Sequence, residues 1–397
     1  MAGPQLFTRA FVLAAVANLL HSLAFFGYLH LPGYLSDEGA DELLIGIVVG
    51  TMAASAILLR PFVGSMLDRQ GRRVVARIGS VIHVLVTLAY LLVDGIGPWL
   101  FVVRILHGAA EAMLFSVLFT IAADVVPKER RTEGIALFGI SGMIPMALSG
   151  FIGDFILARA GYPELFIATA IAATLGGLCA WPLADSRPPE QAGAGPRRSF
   201  LAVVLQPSLR PLWLMGVSFA CAMASYFTFL KTFVEDTGVG SMGLFYGVYS
   251  LSAILLRIFL GWLPDRIGPR RTLVPAMAAT IAGLVVLPFV RGDVGMAVSG
   301  ILCGTGHAFV FPILSALVVN RAAASERGVA LSMFTALFDL GMLVGAPLLG
   351  AVLQKTDYAV MYITAAGLAL AGGIVYGVWD ARVAPARAVT PTPDTDA

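Results

Sequence analysis

Long apolar segments alternate with short polar ones along the whole chain. Each apolar segment is about 20 residues long, the length that a helix rising 1.5 Å per residue needs to cross a bilayer. Charged residues, glycines or prolines separate successive segments. The pattern predicts twelve transmembrane helices in two groups of six, near 7–31, 43–66, 74–93, 98–123, 135–158, 164–184, 209–234, 242–263, 272–290, 295–319, 329–352 and 358–379.

A motif of sixteen residues occurs twice, at the end of the second and of the eighth predicted helix. The first copy, from Leu58 to Arg73, reads LLRPFVGSMLDRQGRR, and the second, from Leu255 to Arg270, reads LLRIFLGWLPDRIGPR. Internal repeats at half the chain length are frequent in membrane transporters. The repeat therefore predicts an all-α membrane protein built from two pseudo-symmetric six-helix bundles.

The predicted helices divide the chain into an N-terminal bundle, 1–185, and a C-terminal bundle, 208–380. The stretch between them, 186–207, is rich in Pro, Gly and Arg and predicts a cytoplasmic linker. The last residues, 381–397, cannot bury much apolar surface, so we expect a disordered cytoplasmic tail there.

The composition agrees with lipid as the solvent for most of the chain. Hydrophobic residues make up 58% of it and charged residues 13%, against about 25% charged in soluble domains. The net charge of +2 is too small to indicate a nucleic-acid partner. The cysteines Cys179, Cys221 and Cys303 stand alone in apolar segments, so the sequence predicts no metal site and no cofactor.

The positive charges concentrate on one side of the predicted bilayer. Because loops rich in Lys and Arg stay in the cytoplasm, we expect both termini and both copies of the motif on the cytoplasmic side. The first apolar segment is predicted to be an uncleaved helix. The compact loops favour a prokaryotic inner membrane.

The two copies of the motif also carry a family resemblance. The residues concerned are Gly64, Asp68, Arg69, Gly71, Arg72 and Arg73, and Gly261, Asp265, Arg266, Gly268, Arg270 and Arg271. They resemble the signature loops of the major facilitator superfamily, between helices two and three and between helices eight and nine. The resemblance covers nearly the whole chain and implies a monomeric secondary transporter of a small-molecule substrate. It also implies that Asp68 and Arg72 help to lock the outward-open state.

A mechanical interpretation of these loops follows from their charges. Asp68 and Asp265 end their helices beside several arginines, so a charge network can hold the cytoplasmic ends of neighbouring helices together. Such a network must break when the inner gate opens. Arg60 and Arg257, two turns earlier in their helices, are expected to extend it towards the cavity.

Two acidic residues, Glu111 and Asp339, lie near the middle of predicted spans, and His307 lies at mid-depth of the tenth. Such groups cost several kcal/mol in a bilayer unless they face a cavity or a partner. Arg104, His107 and Glu111 are spaced i, i+3 and i+7, which predicts one polar face towards the central cavity. Either Glu111 exchanges a proton while Arg104 tunes its proton affinity, or the two form a permanent structural pair.

Two local runs strengthen the proton-coupling hypothesis by resemblance. The run from Arg104 to Glu111 is similar to the superfamily's helix-four motif, whose Arg is linked to proton coupling, although His107 departs from that motif. The run around Asp339 resembles helix eleven of bacterial drug and sugar efflux relatives. A polar bond to a neighbouring helix is the alternative for Asp339. Local similarity makes Glu111 and His307 pseudo-symmetric.

Several polar and aromatic residues are candidates for a substrate cavity, with packing as the alternative for each. His83 is expected to pack, and so is His30. The candidate cavity residues are Asn18, His21, Phe25, Phe115, Tyr226 and Tyr249.

The sequence thus predicts proton-coupled efflux of a drug, sugar or metabolite by alternating access. Glycines and a proline of the fifth helix loosely resemble an exporter motif, although small residues also serve helix packing. A proton-linked importer of a sugar or organic acid, with Arg104 binding the substrate, is the alternative. A non-transporting scaffold or receptor on the same fold is a further one. Neither a phosphate-binding loop nor a catalytic constellation occurs, so we expect no enzyme. The residues of the exporter-like motif in the fifth helix are Gly139, Gly142, Pro145, Gly150 and Gly153.

Overall fold

The computed structural model describes residues 5–127, 130–186, 203, 205–322 and 327–383. Within these ranges, 12 helices are long and apolar enough to cross a membrane, which confirms the predicted all-α fold. The helices are α1 (Arg9–Gly27), α2 (Glu42–Gln70), α3 (Arg72–Ala89), α4 (Pro98–Val125), α5 (Arg131–Leu157), α6 (Tyr162–Ala180), α7 (Arg210–Thr237), α8 (Met242–Leu260), α9 (Pro269–Val286), α10 (Asp293–Arg321), α11 (Arg327–Lys355) and α12 (Tyr358–Val383).

The first and last spans are longer than the apolar pattern predicts. After α1 the chain continues through a 3₁₀ turn into a short helix, Leu31–Asp37. Pro32 stands in the first turn of that helix, where its fixed φ suits a helix start. At the other end α12 reaches Val383, past the end near 379 that the apolar pattern predicts. The rest of the predicted tail, and 187–202 and 204 of the predicted linker, lie outside the described residues.

Close helix contacts repeat between the two halves. Gly108 of α4 lies against the backbone of Met52 in α2, and Gly304 of α10 lies against the backbone of Tyr249 in α8. A Cβ at either glycine would collide with the neighbouring carbonyl oxygen. Because glycine lets helix backbones approach closely, equivalent pairs of helices pack alike in both halves.

The two halves meet mainly through α2 against α11 and α8 against α5. We call the side of the membrane that carries the start of α1 the terminal side, and the opposite side the distal side. On the distal side Gly46 abuts the backbone of Ala346. There the Gly243 N–H also donates to Asp154 Oδ2 over 2.7 Å. These contacts close the molecule at its distal side.

Large apolar side chains cover the outer surface of the bundle. Leu178, Phe259 and Val274 are exposed by 65%, 66% and 70% of their areas. Because a bilayer solvates such side chains and satisfies no backbone hydrogen bonds, a fully helical chain with this surface suits lipid.

A buried carboxylate joins three helix ends on the terminal side of the C-terminal half. Asp380 of α12 is fully buried. It accepts hydrogen bonds from Arg270 Nε of α9 at 2.9 Å and from Arg321 Nη2 of α10 at 3.1 Å, and a second, shorter bond from Arg321 Nη1. The cluster therefore holds α9, α10 and α12 together.

We expect Asp380→Asn to destabilise the folded protein. The change leaves two arginines without a negative partner, and removing one partner of a buried ion pair costs about 3–5 kcal/mol. The lower end of this energy range applies because the Arg270 side chain is 49% exposed to solvent. Thermal unfolding of the purified protein in detergent should therefore show a midpoint several degrees below the wild type. Asp265→Asn, at an exposed position, is the matched control, and an equal midpoint for both variants would contradict the prediction.

Candidate functional site

An ion pair connects the two halves near mid-membrane. Arg60 of α2 donates to Asp339 Oδ2 of α11 from Nε at 2.8 Å and from Nη2 at 2.5 Å. The two side chains retain only 8% and 22% of their exposure. The acid predicted on the eleventh helix therefore has a specific cationic partner, and that partner belongs to the other half of the molecule.

Glu111 of α4 lies beside this pair. It is close enough to Arg60 and Asp339 to interact electrostatically with both, yet among the described residues it forms neither a hydrogen bond nor an ion pair. One turn further along α4, the Phe115 ring centroid lies 6.0 Å from the Arg60 guanidinium carbon, a distance at which a ring attracts a cation. The Arg60 guanidinium is thus bonded to Asp339 and interacts with Glu111 only at longer range.

The predicted pairing of Arg104 with Glu111 is wrong. Arg104 donates from Nε to the Val48 carbonyl at 3.1 Å, from Nη2 to the Val49 carbonyl at 3.0 Å and from Nη1 to the Tyr90 hydroxyl at 3.3 Å. Seven helical positions correspond to about 10 Å along the axis, too far for direct contact. Arg104 instead ties α4 to α2 within the N-terminal half, and Arg60 is the cation beside Glu111.

Three histidines from α1, α3 and α4 form a buried cluster in the N-terminal half. His21 Nδ1 lies 3.0 Å from His83 Nδ1, and the ring centroids of His83 and His107 are 5.3 Å apart. His107 Nδ1 lies 3.2 Å from the Tyr90 hydroxyl. His107 therefore does not face a central cavity as predicted, because its ring packs against α3. The described residues include no group of three or more ligands able to hold a metal ion.

The other candidate residues of α1 also make contacts inside this half. Asn18 Nδ2 donates to the Ser141 hydroxyl of α5 at 2.9 Å. The Phe25 ring meets the His107 ring edge-on, with centroids 5.8 Å apart. The contacts of Asn18, His21 and Phe25 thus tie α1 to its neighbours, and substrate contact by these residues stays a prediction.

The C-terminal half places its predicted residues together around α8 and α10. The Tyr249 hydroxyl forms a short hydrogen bond with His307 Nδ1, and the ring of Tyr226 lies 5.8 Å from that of Tyr249. Both tyrosines are fully buried. Glu111 and His307, which the repeat makes pseudo-symmetric, therefore lie in different environments. Glu111 lies beside an ion pair, and His307 is bonded to the Tyr249 phenol.

The signature loops tie helix ends within each half. Gly71 and Gly268 have φ of 93° and 97°, values that glycine adopts without steric cost. Arg72 Nε then bonds Asp124 Oδ2 at the end of α4 over 3.2 Å, and the Arg72 N–H donates to Asp185 Oδ1 at 3.0 Å. Together with the Arg270 contacts, these bonds join neighbouring helix ends through Asp124, Asp185 and Asp380. The acid predicted for the second network, Asp265, is exposed instead.

The remaining loop residues lie at the surface. The side chain of Asp68 lies outside the described part of the structure, so its role in locking one state stays a prediction. Arg60 and Arg257 do not extend the loop networks as expected, because each reaches across to the opposite half. The exposed loop residues are Gly64, Arg69, Arg73, Gly261, Asp265 and Arg266.

Comparisons with known proteins agree with this architecture. The family model described as Major Facilitator Superfamily matches residues 11–322 and 239–395. An uncharacterized MFS-type transporter, YhhS of Salmonella enteritidis, is 25% identical over 349 residues, which cover 85% of this chain and 84% of that protein. The staphylopine export protein of Staphylococcus aureus is 24% identical over 342 residues, covering 82% and 85%.

Solved structures share the fold at lower identity. A mutant of the nucleoside transporter NupG superposes with a TM-score of 0.79 at 15% identity, covering 93% of this chain and 99% of that one. The human organic anion transporter MFSD10 gives a TM-score of 0.71 at 17% identity, with the same coverage. Paired signature loops, 12 spans in the described ranges and a matching family model over nearly all of the sequence lead to one conclusion: the chain belongs to the Major Facilitator Superfamily of membrane transporters.

Proposed function

We propose that the protein exports a small organic molecule in exchange for protons. The observation that carries this proposal is the Arg60–Asp339 ion pair between the two halves, with Glu111 beside it. A transporter that alternates between two open states needs a contact between its halves that its coupling ion can make and break. A carboxylate bound to a guanidinium is such a contact, because a proton on the carboxylate removes the attraction.

Charge balance supports a proton at this site. Arg60 carries one positive charge, whereas Asp339 and Glu111 together carry two negative charges when both are ionised. An uncompensated charge at membrane depth is costly. The site is neutral when one of the two carboxyl groups holds a proton. In the proposed cycle Glu111 takes up the proton, and its passage to Asp339 releases Arg60 and frees the halves to rock.

The distal closure suggests which state the structure represents. The halves abut through Gly46 and Gly243 on the distal side, while the ion pair closes the middle. We propose that the termini lie in the cytoplasm, as the distribution of Lys and Arg indicates. The distal side then faces outwards, and the state is closed to the outside of an inner membrane.

Export is favoured over import mainly by one relative. The staphylopine export protein bears export in its name and aligns over most of both chains. The glycines of α5 add little, because two of them have packing roles. Gly150 lies against the backbone of Met242, and Gly153 lies against the His30 ring.

The importer alternative assigns substrate binding to Arg104. The donors of Arg104 are already engaged by two backbone carbonyls and a tyrosine hydroxyl, and this supports a structural role for it. In a scaffold without transport the halves do not separate, so an ion pair that a proton can break between them would have no function. Both alternatives are therefore weaker than proton-coupled export.

We expect Glu111→Gln and Asp339→Asn each to abolish coupled transport, because neither amide can carry the proton. Inside-out vesicles would be loaded with a pH-sensitive dye, given an acid interior and treated with pools of lipophilic cations, antibiotics, sugars and organic acids. Wild-type vesicles should release protons with an active pool, and the variants should stay below about a tenth of that rate.

The matched controls for these variants are exposed carboxyl groups on the distal side. Glu164→Gln and Asp293→Asn make the same chemical changes at the first turns of α6 and α10, and both should retain proton release. Wild-type proton release in Glu111→Gln and Asp339→Asn together would contradict the proposed coupling.

A cross-link between the halves on the distal side should stop transport. Gln354 Nε2 of α11 donates to Asp41 Oδ2 before α2 at 2.8 Å. With the native cysteines replaced by alanine, Asp41→Cys and Gln354→Cys would be joined by a short bis-methanethiosulfonate reagent. Proton release with an active pool should disappear and return after reduction.

The control cross-link stays within the C-terminal half. The Tyr358 hydroxyl donates to Asp236 Oδ2 at 2.6 Å, so Asp236→Cys and Tyr358→Cys form a similarly close pair at the distal ends of α7 and α12. Because this link does not join the halves, transport should persist. Equal transport after both cross-links would argue against rocking of the two halves.

A further inference from the structure

Arg257 of α8 is a partly buried cation without a carboxylate partner. Its Nε donates to the Ala308 carbonyl at 3.3 Å and its Nη2 to the His307 carbonyl at 3.1 Å. Its Nη1 lies 3.1 Å from Met143 Sδ of α5. Among the described residues no carboxylate lies within ion-pair distance of Arg257. The guanidinium is therefore held by neutral acceptors alone.

The other half of the molecule shows what this arrangement lacks. Arg60 and Arg257 occupy the same position in the two copies of the repeated motif. Arg60 reaches Asp339 across the interface with α11, and Arg257 reaches Met143 across the equivalent interface with α5. Met143 of the N-terminal half thus occupies the position that is equivalent to Asp339 of the C-terminal half. A thioether is a weak acceptor and does not neutralise a charge, so the positive charge of Arg257 stays uncompensated.

An uncompensated cation at this depth is expensive to keep. Removing water from an ionised side chain costs several kcal/mol unless an opposite charge is near. Arginine has five N–H donors, of which two reach carbonyls and one reaches the sulfur. The donors that remain, and the one on Met143, can bind the two oxygens of a carboxylate. The equivalent space between Arg60 and α11 holds the Asp339 carboxylate, whereas the Met143 side chain occupies it at Arg257.

The wall beside Arg257 suits an organic ligand. His307 and Tyr249 are hydrogen-bonded to each other at this place, and the Phe311 ring lies 6.5 Å from that of His307. Rings supply apolar contact surface, while phenol and imidazole supply directional hydrogen bonds. A small organic anion finds both a charge partner and an apolar surface here.

We propose that Arg257 binds the carboxylate of the transported molecule, and that the substrate is therefore a small organic acid or a zwitterion with a free carboxylate. The bound carboxylate replaces Met143 at the guanidinium and completes an ion pair equivalent to Arg60–Asp339. This inference rests on the proposed transport function. It adds the substrate class and a residue that recognises the substrate.

Ligand-induced thermal stabilisation of the purified protein tests this assignment. The probes are benzoate, succinate, citrate and glutamate, with glucose and tetraphenylphosphonium as neutral and cationic comparisons. At least one carboxylate should raise the unfolding midpoint of the wild type, and the comparison compounds should not. Stabilisation by glucose or tetraphenylphosphonium alone, or by no carboxylate, would overturn the proposal.

Two variants locate the binding. Arg257→Gln should weaken the apparent affinity for the active carboxylate by at least about tenfold, or about 1.4 kcal/mol, because the carboxylate loses its charged partner. Met143→Asp should weaken it similarly, because the new acid occupies the guanidinium. Arg159→Gln, at an exposed arginine of the distal side, is the matched control and should keep wild-type affinity. Unchanged affinity in Arg257→Gln and Met143→Asp would contradict the assignment.

The experiment separates this inference from the proposed proton coupling. Thermal stabilisation needs no proton gradient, so carboxylate binding can be measured whether or not transport is coupled. Binding that depends on Arg257, without proton release in vesicles, would overturn the coupling and keep the site. Proton release with a pool of cations or sugars only would overturn the site and keep the coupling.

Discussion

Two halves that must separate are joined by a charge pair within the membrane. Arg60 and Asp339 attract each other in a region of low dielectric, where charges interact strongly and separation leaves each of them unsolvated. Apolar contacts between the halves can slide or open at small cost, because lipid solvates the exposed surfaces equally well. The ion pair cannot open at small cost, because its two charges would lose each other as partners. Any motion that opens the middle of the molecule must first remove a charge or supply a new partner.

The internal repeat explains why the two halves handle this constraint differently. Both halves keep an arginine at the same place, Arg60 and Arg257, and both keep the close glycine contacts that set the helix spacing. Only one of the arginines faces an acid. A scaffold duplicated with its cations, but with an acid opposite only one of them among the described residues, has one charge satisfied by the protein; we propose that the other is open to a ligand. In the proposed mechanism, this asymmetry assigns proton chemistry to Arg60 and substrate binding to Arg257.

The sequence predicted the frame well and the contacts between side chains less well. The 12 spans and the signature loops could be predicted because length, hydropathy and a repeated motif are local properties. The partners of Arg104 and Arg60 could not, because they depend on how each helix is rotated and which helices adjoin. His83 shows the same limit. A lone histidine in an apolar segment predicts packing, yet its neighbours His21 and His107 lie on other helices. Arg60 carried the one available signal, an arginine deep in an apolar segment, but its partner is 279 positions away.

The terminal-side charge networks show which parts of the molecule move together. Arg72 binds Asp124 and Asp185 within the N-terminal half, and Asp380 binds Arg270 and Arg321 within the C-terminal half. None of these bonds joins the halves, so none has to break when the halves rock. Each half is then a rigid unit at its terminal side, and the contacts that change are the midplane pair and the distal packing. In the proposed cycle, a proton that weakens the Arg60–Asp339 pair acts on the ion pair that the described residues form between the halves in the middle of the membrane. Its effect would then reach the distal glycine contacts as motion of whole bundles, without rearrangement inside either of them.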